Sequence, residues 1–171
     1  MKTAAAQTAA TLLTAQDIFK QCEHIACYIP NKNEFDTSYV IENIWNAKKQ
    51  CYLPVLNDEK TLQFIRYEKG DKLQLNRYSI SEPIDHSIKI EPSLLDMVIM
   101  PLLAFDMQGV RLGAGGGYYD KTFAFLQAHP DKKPFMLGIA YANQEAKNLP
   151  RDSWDAMLDG ILTEKLFHKF M

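Results

Sequence analysis

The stretch 111–121 holds the residues whose types and spacing are best suited to chemistry. Four glycines occupy the five positions from 113 to 117, between Arg111 on one side and Asp120 and Lys121 on the other. Glycine allows the main chain to adopt positive φ and to approach a ligand closely, and the amides of such a loop can converge on an anion. The flanking cations suit phosphate oxygens. We therefore predict that this segment binds a triphosphate.

Tyr118 and Asp120 distinguish this segment from two common phosphate-binding motifs. The dinucleotide fingerprint requires glycine where Tyr118 stands, and the pattern from Gly115 to Thr122 matches a Walker A loop except that Asp120 replaces a glycine. A carboxylate in this position suits Mg²⁺, which takes carboxylate and phosphate oxygens together. The alternative is a tight strand-to-helix turn in which Asp120 only places a favourable charge in the first helical turn.

The surrounding residues predict the elements that must position this segment. The range 97–105 is the most apolar run of the chain, and a run without alternation suits a strand buried on both faces. Strands alternate with helices, which predicts an α/β fold, a single domain with a mostly parallel central sheet flanked by helices. The glycines then follow the carboxyl end of a buried strand, where open α/β sheets bind ligands. Helices are predicted over 4–22, 39–49, 118–128 and after residue 143, and strands over 24–29, 50–56, 62–68, 97–105, 135–141 and 157–163.

The composition limits the class of protein. With 171 residues, 47% of them hydrophobic, the chain suits one domain over 1–171 with its own core. Nineteen Lys and Arg against 21 Asp and Glu give a net charge of −2, which argues against a nucleic-acid partner. Three cysteines without a C-x-x-C pair, and no run of about 18 apolar residues, predict a cytoplasmic protein without a membrane segment. Gln7 and four threonines favour an Ala-rich N-terminal helix over a signal peptide.

Longer motifs around the glycines resemble those of a known family. The run 100–106 contains P-x-x-A-F-D, and 111–120 reads R-L-G-x-G-G-G-Y-Y-D. Further matching segments are 28–30 with 34–37, Glu82-Pro83, 138–141 with Gln144, and 158–160 with Thr163-Glu164. Together these motifs resemble the 5-formyltetrahydrofolate cyclo-ligase family, also called 5,10-methenyltetrahydrofolate synthetase, over about residues 25 to 164.

The resemblance implies an enzyme that uses ATP and Mg²⁺ to convert 5-formyltetrahydrofolate to 5,10-methenyltetrahydrofolate in one-carbon metabolism, with release of ADP and phosphate. Its partners would be two small molecules, a reduced folate and ATP, and we expect a monomer. By position, the resemblance assigns catalysis to Arg111, Tyr118 and Asp120, and Mg²⁺ binding to Asp120 and Asp159. It assigns ATP binding to Arg111, Leu112, Gly113, Ala114, Gly115, Gly116, Gly117, Tyr118 and Tyr119. It assigns folate contacts to Ile29, Glu34 and Tyr78 and, around the formyl group, to Ala114, Gly115, Gly116, Gly117 and Tyr118.

Departures from the family pattern, Ala114 at an often larger or basic position among them, leave other functions open. The family opens with a basic helix that reaches the nucleotide, whereas this chain is expected to begin after that helix and has no Lys or Arg between Lys2 and Lys20. Lys121 stands where the family often has Arg. One alternative is therefore a homologue that binds folate or nucleotide without catalysis. The other is a phosphate-binding α/β enzyme such as a sugar-phosphate isomerase, which would need no ATP.

Overall fold

The computed structural model describes residues 2–129, 131 and 134–170. Within these residues the chain forms five α-helices and twelve strands. The helices are α1 (Lys2–Thr14), α2 (Asp17–Gln21), α3 (Ser38–Asn46), α4 (Tyr118–Thr122) and α5 (Phe125–Ala128). The strands are β1 (His24–Ala26), β2 (Gln50–Leu56), β3 (Leu62–Arg66), β4 (Leu73–Leu75), β5 (Ser81–Pro83), β6 (Lys89–Ile90), β7 (Met97–Met100), β8 (Ala104–Phe105), β9 (Arg111–Leu112), β10 (Phe135–Ile139), β11 (Gly160–Leu162) and β12 (Phe167–Lys169). Short 3₁₀ turns occupy Pro92–Leu94 and Ala142–Gln144.

Eight of these strands form one sheet in the order β12-β11-β10-β7-β1-β2-β3-β6. The neighbours from β11 to β2 run parallel, and β12, β3 and β6 add antiparallel edges. The predicted α/β fold with a mostly parallel sheet flanked by helices is confirmed. β7 lies between β10 and β1 with all four residues buried, as its apolar sequence requires. The strand ends at Met100 and does not run on to residue 105, because Pro101 has no N–H to extend the ladder.

Side chains alternate between the two faces of the sheet and fill two cores. In β1, Ile25 packs into the core that includes the buried sides of α1 and α3. Ala26 points to the opposite face, where Phe105 and Phe123 from the chain after β7 complete the second core. Within the described residues, no helix combines the length and apolar character needed to cross a membrane.

Several short elements are not predicted by the sequence patterns. β4 with β5 and β8 with β9 form two-stranded hairpins, and β12 extends the sheet beyond β11. These strands have only two or three residues, too few for a two-residue alternation to show. The helix predicted over 118–128 is divided into α4 and α5 next to Phe123, whose ring centroid lies 5.8 Å from that of Phe64.

The ends of β1 and β7 mark the place where a ligand crevice is expected. In the strand order, β1 is followed along the chain by its neighbour β2 in one direction, whereas β7 is followed by its neighbour β10 in the opposite direction. Open α/β sheets bind ligands outside the carboxyl ends of their strands, at such a reversal. The segments that leave these two ends are 27–37 and 101–117, and both contain residues predicted to form the site.

Candidate functional site

A hairpin that leaves the end of β7 carries the glycine loop. Asp106 lies in the turn between β8 and β9 and is only 2% exposed. Its Oδ1 accepts hydrogen bonds from the N–H groups of Gln108 and Val110, both at 3.0 Å. Its Oδ2 accepts one from the N–H of Leu149, also at 3.0 Å. The buried carboxylate therefore shapes the turn and also ties the hairpin to a later segment of the chain.

The loop at 113–117 presents a row of main-chain amides to solvent. Immediately before it, the N–H of Leu103 donates to the carbonyl of Leu112 at 2.7 Å. Residues Ala114 to Gly117 are exposed, and Gly117 precedes α4 with a φ of 72°, a left-handed conformation that favours glycine. No residue in the described part of the chain accepts a hydrogen bond from the amides of 113–117. Adjacent unpaired amides ahead of a helix are suited to binding an anion.

Arg111 is held at the base of this loop. Its Nη1 donates to the carbonyl of Pro101 at 2.9 Å, and its guanidinium carbon lies 5.4 Å from the centroid of the Tyr119 ring. Gly113 leaves space for the guanidinium, since a Cβ there would lie 2.9 Å from Nη1. The group is only partly exposed, and its remaining N–H donors can serve an anion held by the loop.

Tyr119 contacts Arg111 and interacts electrostatically with Glu34 in the segment that follows β1. Burial raises the pKa of Tyr119, the Arg111 guanidinium opposes that rise, and the Glu34 carboxylate adds to it. Oε1 of Glu34 accepts a hydrogen bond from the N–H of Asn31 at 3.0 Å, which holds the carboxylate in its loop. Ile29 is half-buried just before this turn. The predicted folate residues Ile29 and Glu34 therefore belong to the segment after β1, and the Glu34 carboxylate acts on the Tyr119 phenol.

Aromatic side chains contact one another in and next to the segment that follows β1. The hydroxyl of Tyr28 donates to the carbonyl of Phe35 at 3.1 Å, and the rings of Phe35 and Tyr141 lie 4.6 Å apart. Burial raises the pKa of Tyr28 well above its ordinary value, and the neighbouring ionisable groups, Glu34 among them, raise it further. Burial thus favours the neutral form of the Tyr28 phenol, whose hydroxyl is hydrogen-bonded to Phe35.

Tyr118 lies at a second cleft. With Arg77, Tyr78 and Glu82 it lines a volume of about 250 Å³ between the start of α4 and the β4–β5 hairpin. The Arg77 guanidinium lies 5.0 Å from the centroid of the Tyr78 ring. The structure thus brings together Tyr78 and Tyr118, which were both predicted to contact substrate, and adds Arg77, which the motifs did not single out.

The two charged residues in α4 make contacts that secure the helix. Oδ1 of Asp120 accepts a hydrogen bond from the N–H of Ala156 at 2.8 Å. Nζ of Lys121 donates to the carbonyl of Glu59 at 2.6 Å. Both contacts tie α4 to neighbouring loops, so each residue has a structural partner in addition to its predicted role.

Asp159 lies apart from the loop, at the amino end of β11. Its Oδ2 accepts a hydrogen bond from the N–H of Met136 at 2.8 Å, and it lines a cavity of about 380 Å³ with Asp96 and Lys169. Desolvation raises the pKa of its carboxyl group, although the hydrogen bond and Lys169 oppose the rise. Within the described residues, no three His, Cys, Asp or Glu side chains come together in a way that could hold a metal. The metal role of Asp159 stays a prediction.

Sequence reasoning missed the residues that support the loop. Asp106 had a visible signal, because it ends the P-x-x-A-F-D motif, but its burial depends on the folded hairpin. Arg77 had none, since a lone arginine in a polar segment is usually solvated.

The strand order and the crevice at its reversal define an open α/β protein with its candidate ligand site outside the carboxyl ends of β1 and β7. The model of the 5-formyltetrahydrofolate cyclo-ligase family matches residues 1–164. The chain therefore belongs to this family of enzymes, and the resemblance inferred from its motifs is confirmed.

Individual relatives agree with this membership. The chain is 38% identical over 146 residues to 5-formyltetrahydrofolate cyclo-ligase of Haemophilus influenzae, covering 84% of this chain and 76% of that protein. It is 37% identical over 160 residues to the Escherichia coli K12 protein of the same name, covering 92% and 86%. The solved structure of 5,10-methenyltetrahydrofolate synthetase from Aquifex aeolicus superimposes with a TM-score of 0.79 at 29% identity, covering 96% of this chain and 80% of that one.

Proposed function

We propose that the chain catalyses the ATP- and Mg²⁺-dependent conversion of 5-formyltetrahydrofolate to 5,10-methenyltetrahydrofolate, with release of ADP and phosphate, as a cytoplasmic monomer. Membership of the cyclo-ligase family supports the reaction. The single observation that best supports ATP binding is the row of main-chain amides at 113–117. These amides donate to no described residue and lie beside Arg111. A triphosphate is a ligand that such a group of donors suits.

The chemistry explains why a phosphate donor is needed. The oxygen of an amide-like formyl group is a poor leaving group. In the proposed reaction this oxygen attacks the γ-phosphorus of ATP, so that an O–P bond forms as the P–O bond to ADP breaks. The second folate nitrogen then attacks the formyl carbon and loses its proton, and the carbon–oxygen bond breaks to release phosphate. Phosphoryl transfer asks the protein mainly for positioning and charge neutralisation.

The residues around the loop have distinct roles in this proposal. The amides of 113–117 donate to the phosphate oxygens, and Arg111 neutralises charge on them. Glu34 accepts hydrogen bonds from N–H groups of the pterin, since an ionised carboxylate is an acceptor only. Tyr78 and Tyr118, which line one cleft, pack against flat parts of the folate.

The donor set beside the loop fits an Mg²⁺ ion that arrives with the nucleotide. Mg²⁺ is commonly bound by one or two carboxylates together with phosphate oxygens and does not need a cage of protein ligands. Asp120, in the first turn of α4, is the carboxylate in place for such an ion. When bound, the ion supplies positive charge that offsets the charge of the phosphates. Asp159 is a second proposed Mg²⁺ ligand, supported by the family-like motif at 158–160.

A second candidate function is a homologue that binds folate or nucleotide without turnover. It is favoured by the hydrogen bonds that the nearby cationic side chains already make within the protein. Arg111 already donates to the carbonyl of Pro101, and Lys121 already donates to the carbonyl of Glu59. If these contacts persist when nucleotide binds, both side chains keep their charge but have fewer N–H donors free for the phosphate oxygens.

A coupled turnover assay decides between the two candidates. The protein is mixed with ATP, Mg²⁺ and 5-formyltetrahydrofolate, and both the methenyl absorbance and the ADP formed are followed. We expect equal amounts of methenyl product and ADP, and no product when ATP is omitted. Saturable folate binding without ADP would support the binding homologue and contradict the proposed reaction.

A further inference from the structure

The side-chain amide of Gln144 connects three points of the main chain beside the site. Its Oε1 accepts a hydrogen bond from the N–H of Tyr141 at 2.7 Å. Its Nε2 donates to the carbonyls of Leu102 and Leu103, at 3.1 and 3.2 Å. Gln144 ends the 3₁₀ turn after β10, whereas the two carbonyls belong to the chain that has just left β7.

These contacts lie where the sheet itself no longer holds the chain. The ladder between β7 and β10 reaches its last pair at Met100 and Gly138. Beyond that pair the chain after β7 turns away into the β8–β9 hairpin, and its carbonyls need other donors. Gln144 supplies these donors, so it continues the connection between the two strands with a side chain.

Leu103 connects Gln144 to the glycine loop through two hydrogen bonds of its main chain. Its carbonyl accepts a hydrogen bond from Gln144, while its own N–H donates to the carbonyl of Leu112 at 2.7 Å. Leu112 is the last residue before the loop at 113–117. One residue therefore separates the Gln144 amide from the base of the loop.

We propose that Gln144 is a positioning residue that sets the orientation of the loop amides toward the nucleotide. The inference rests on the proposed function and adds to it a residue for which no role has been assigned. Only a side chain with both an acceptor and a donor at this reach can make the three bonds. Glutamate has the same length but, when ionised, cannot donate to either carbonyl.

The test compares Gln144→Glu and Gln144→Met with a matched control, Lys49→Met. Nζ of Lys49 also donates to two main-chain carbonyls, those of Lys20 and Cys22, but near the amino end of the sheet. We expect both Gln144 variants to raise the KM for ATP by about tenfold, because two hydrogen bonds that orient the loop are lost, with a much smaller change in the KM for folate. Lys49→Met should leave both KM values unchanged.

Hydrogen exchange at the Leu103 amide provides a readout that needs no turnover. Its protection should fall in both Gln144 variants and remain in Lys49→Met. If the wild-type protein turns over but the Gln144 variants keep an unchanged KM for ATP, or unchanged protection at Leu103, the inference about Gln144 is wrong. A wild-type protein that neither binds ATP in calorimetry nor forms ADP would show instead that the proposed function itself is wrong, and the nucleotide role of Gln144 would fall with it.

Discussion

The guanidinium carbon of Arg111 lies 5.4 Å from the centroid of the Tyr119 ring, although the glycine loop separates these residues in the chain. Because Nη1 of Arg111 also donates to the carbonyl of Pro101 at 2.9 Å, the side chain joins the end of β7 to the start of α4. The loop is thus held at both ends while its amides remain unpaired with described residues. Donors fixed in advance of binding are more effective than donors that must be ordered by the ligand.

Arg111→Lys should raise the KM for ATP by about tenfold and leave the fold intact. Lysine keeps the charge but cannot offer a planar group to the Pro101 carbonyl and the Tyr119 ring together. A hydrogen bond to a charged group contributes about 1.5–3 kcal/mol, which is enough for a change of this size. Steady-state kinetics at saturating folate measure it. Arg151→Lys, at an exposed position outside the site, is the control, and an equal change in both variants would contradict the prediction.

Gly117→Ala should weaken ATP binding through the direction of the loop amides. Gly117 has a φ of 72°, and a Cβ in the left-handed region costs about 1–2 kcal/mol, so the substituted loop stays strained and its peptide groups rotate away from their original directions. Gly70→Ala is a close control, because Gly70 has a φ of 91° and an added Cβ would also meet no atom within 4 Å.

Urea unfolding and ATP kinetics on these two variants separate strain from function. Both variants should lose a similar amount of unfolding free energy, whereas only Gly117→Ala should raise the KM for ATP. If the KM rises equally in both, or in neither, the loop at 113–117 is not the phosphate site.

The sheet could be predicted from the sequence because its central strands are long enough to show a pattern. The apolar run that contains β7 and the predicted strand over 50–56 both correspond to observed strands. The β8–β9 hairpin could not be predicted, because two residues per strand carry no periodicity. The exact place where the buried strand ends also depends on Pro101 and on the partner strands, which local propensity does not describe.

The glycine loop could be recognised from its composition, but its neighbours could not. Glu34 and Tyr78 are far from residue 113 in the chain, and only the family resemblance connected them with it. In the folded chain Tyr78 lines a cleft with Tyr118, and the Glu34 carboxylate raises the pKa of Tyr119, the next residue in α4. The contacts of Asp106 and Gln144 are set by the tertiary path after β7 and β10, which no local pattern encodes.

Asp120→Asn should reduce Mg²⁺-dependent turnover by about tenfold or more and change folate affinity much less. Asparagine can still accept the hydrogen bond from the N–H of Ala156, so the anchor of α4 is kept while the charge is lost. Turnover is measured over a range of Mg²⁺ concentrations, and folate binding by tryptophan fluorescence. Asp155→Asn is the control, since that carboxylate also accepts a main-chain N–H, from Asp152 at 2.9 Å. Equal loss of turnover and folate binding in Asp120→Asn would mean that the residue is structural.

Asp159→Asn should increase the free energy of unfolding at neutral pH. The pKa of Asp159 is raised in the folded protein, mainly by desolvation, so the folded state binds the proton more tightly than the unfolded chain does. Stability is therefore lost as the pH rises through the folded-state pKa, and the neutral amide avoids that loss while still accepting the N–H of Met136.

Urea unfolding of wild type and Asp159→Asn at a series of pH values tests this sign. The advantage of the variant should be present at pH 7 and should disappear below the unfolded-state value of 3.8. Asp85→Asn, which removes an exposed carboxyl whose pKa is lowered by hydrogen bonds from Ser87, should show no such advantage. If Asp159→Asn is no more stable at neutral pH but needs much more Mg²⁺ for turnover, Asp159 acts as a metal ligand. Replacing a ligating carboxylate by an amide weakens Mg²⁺ binding.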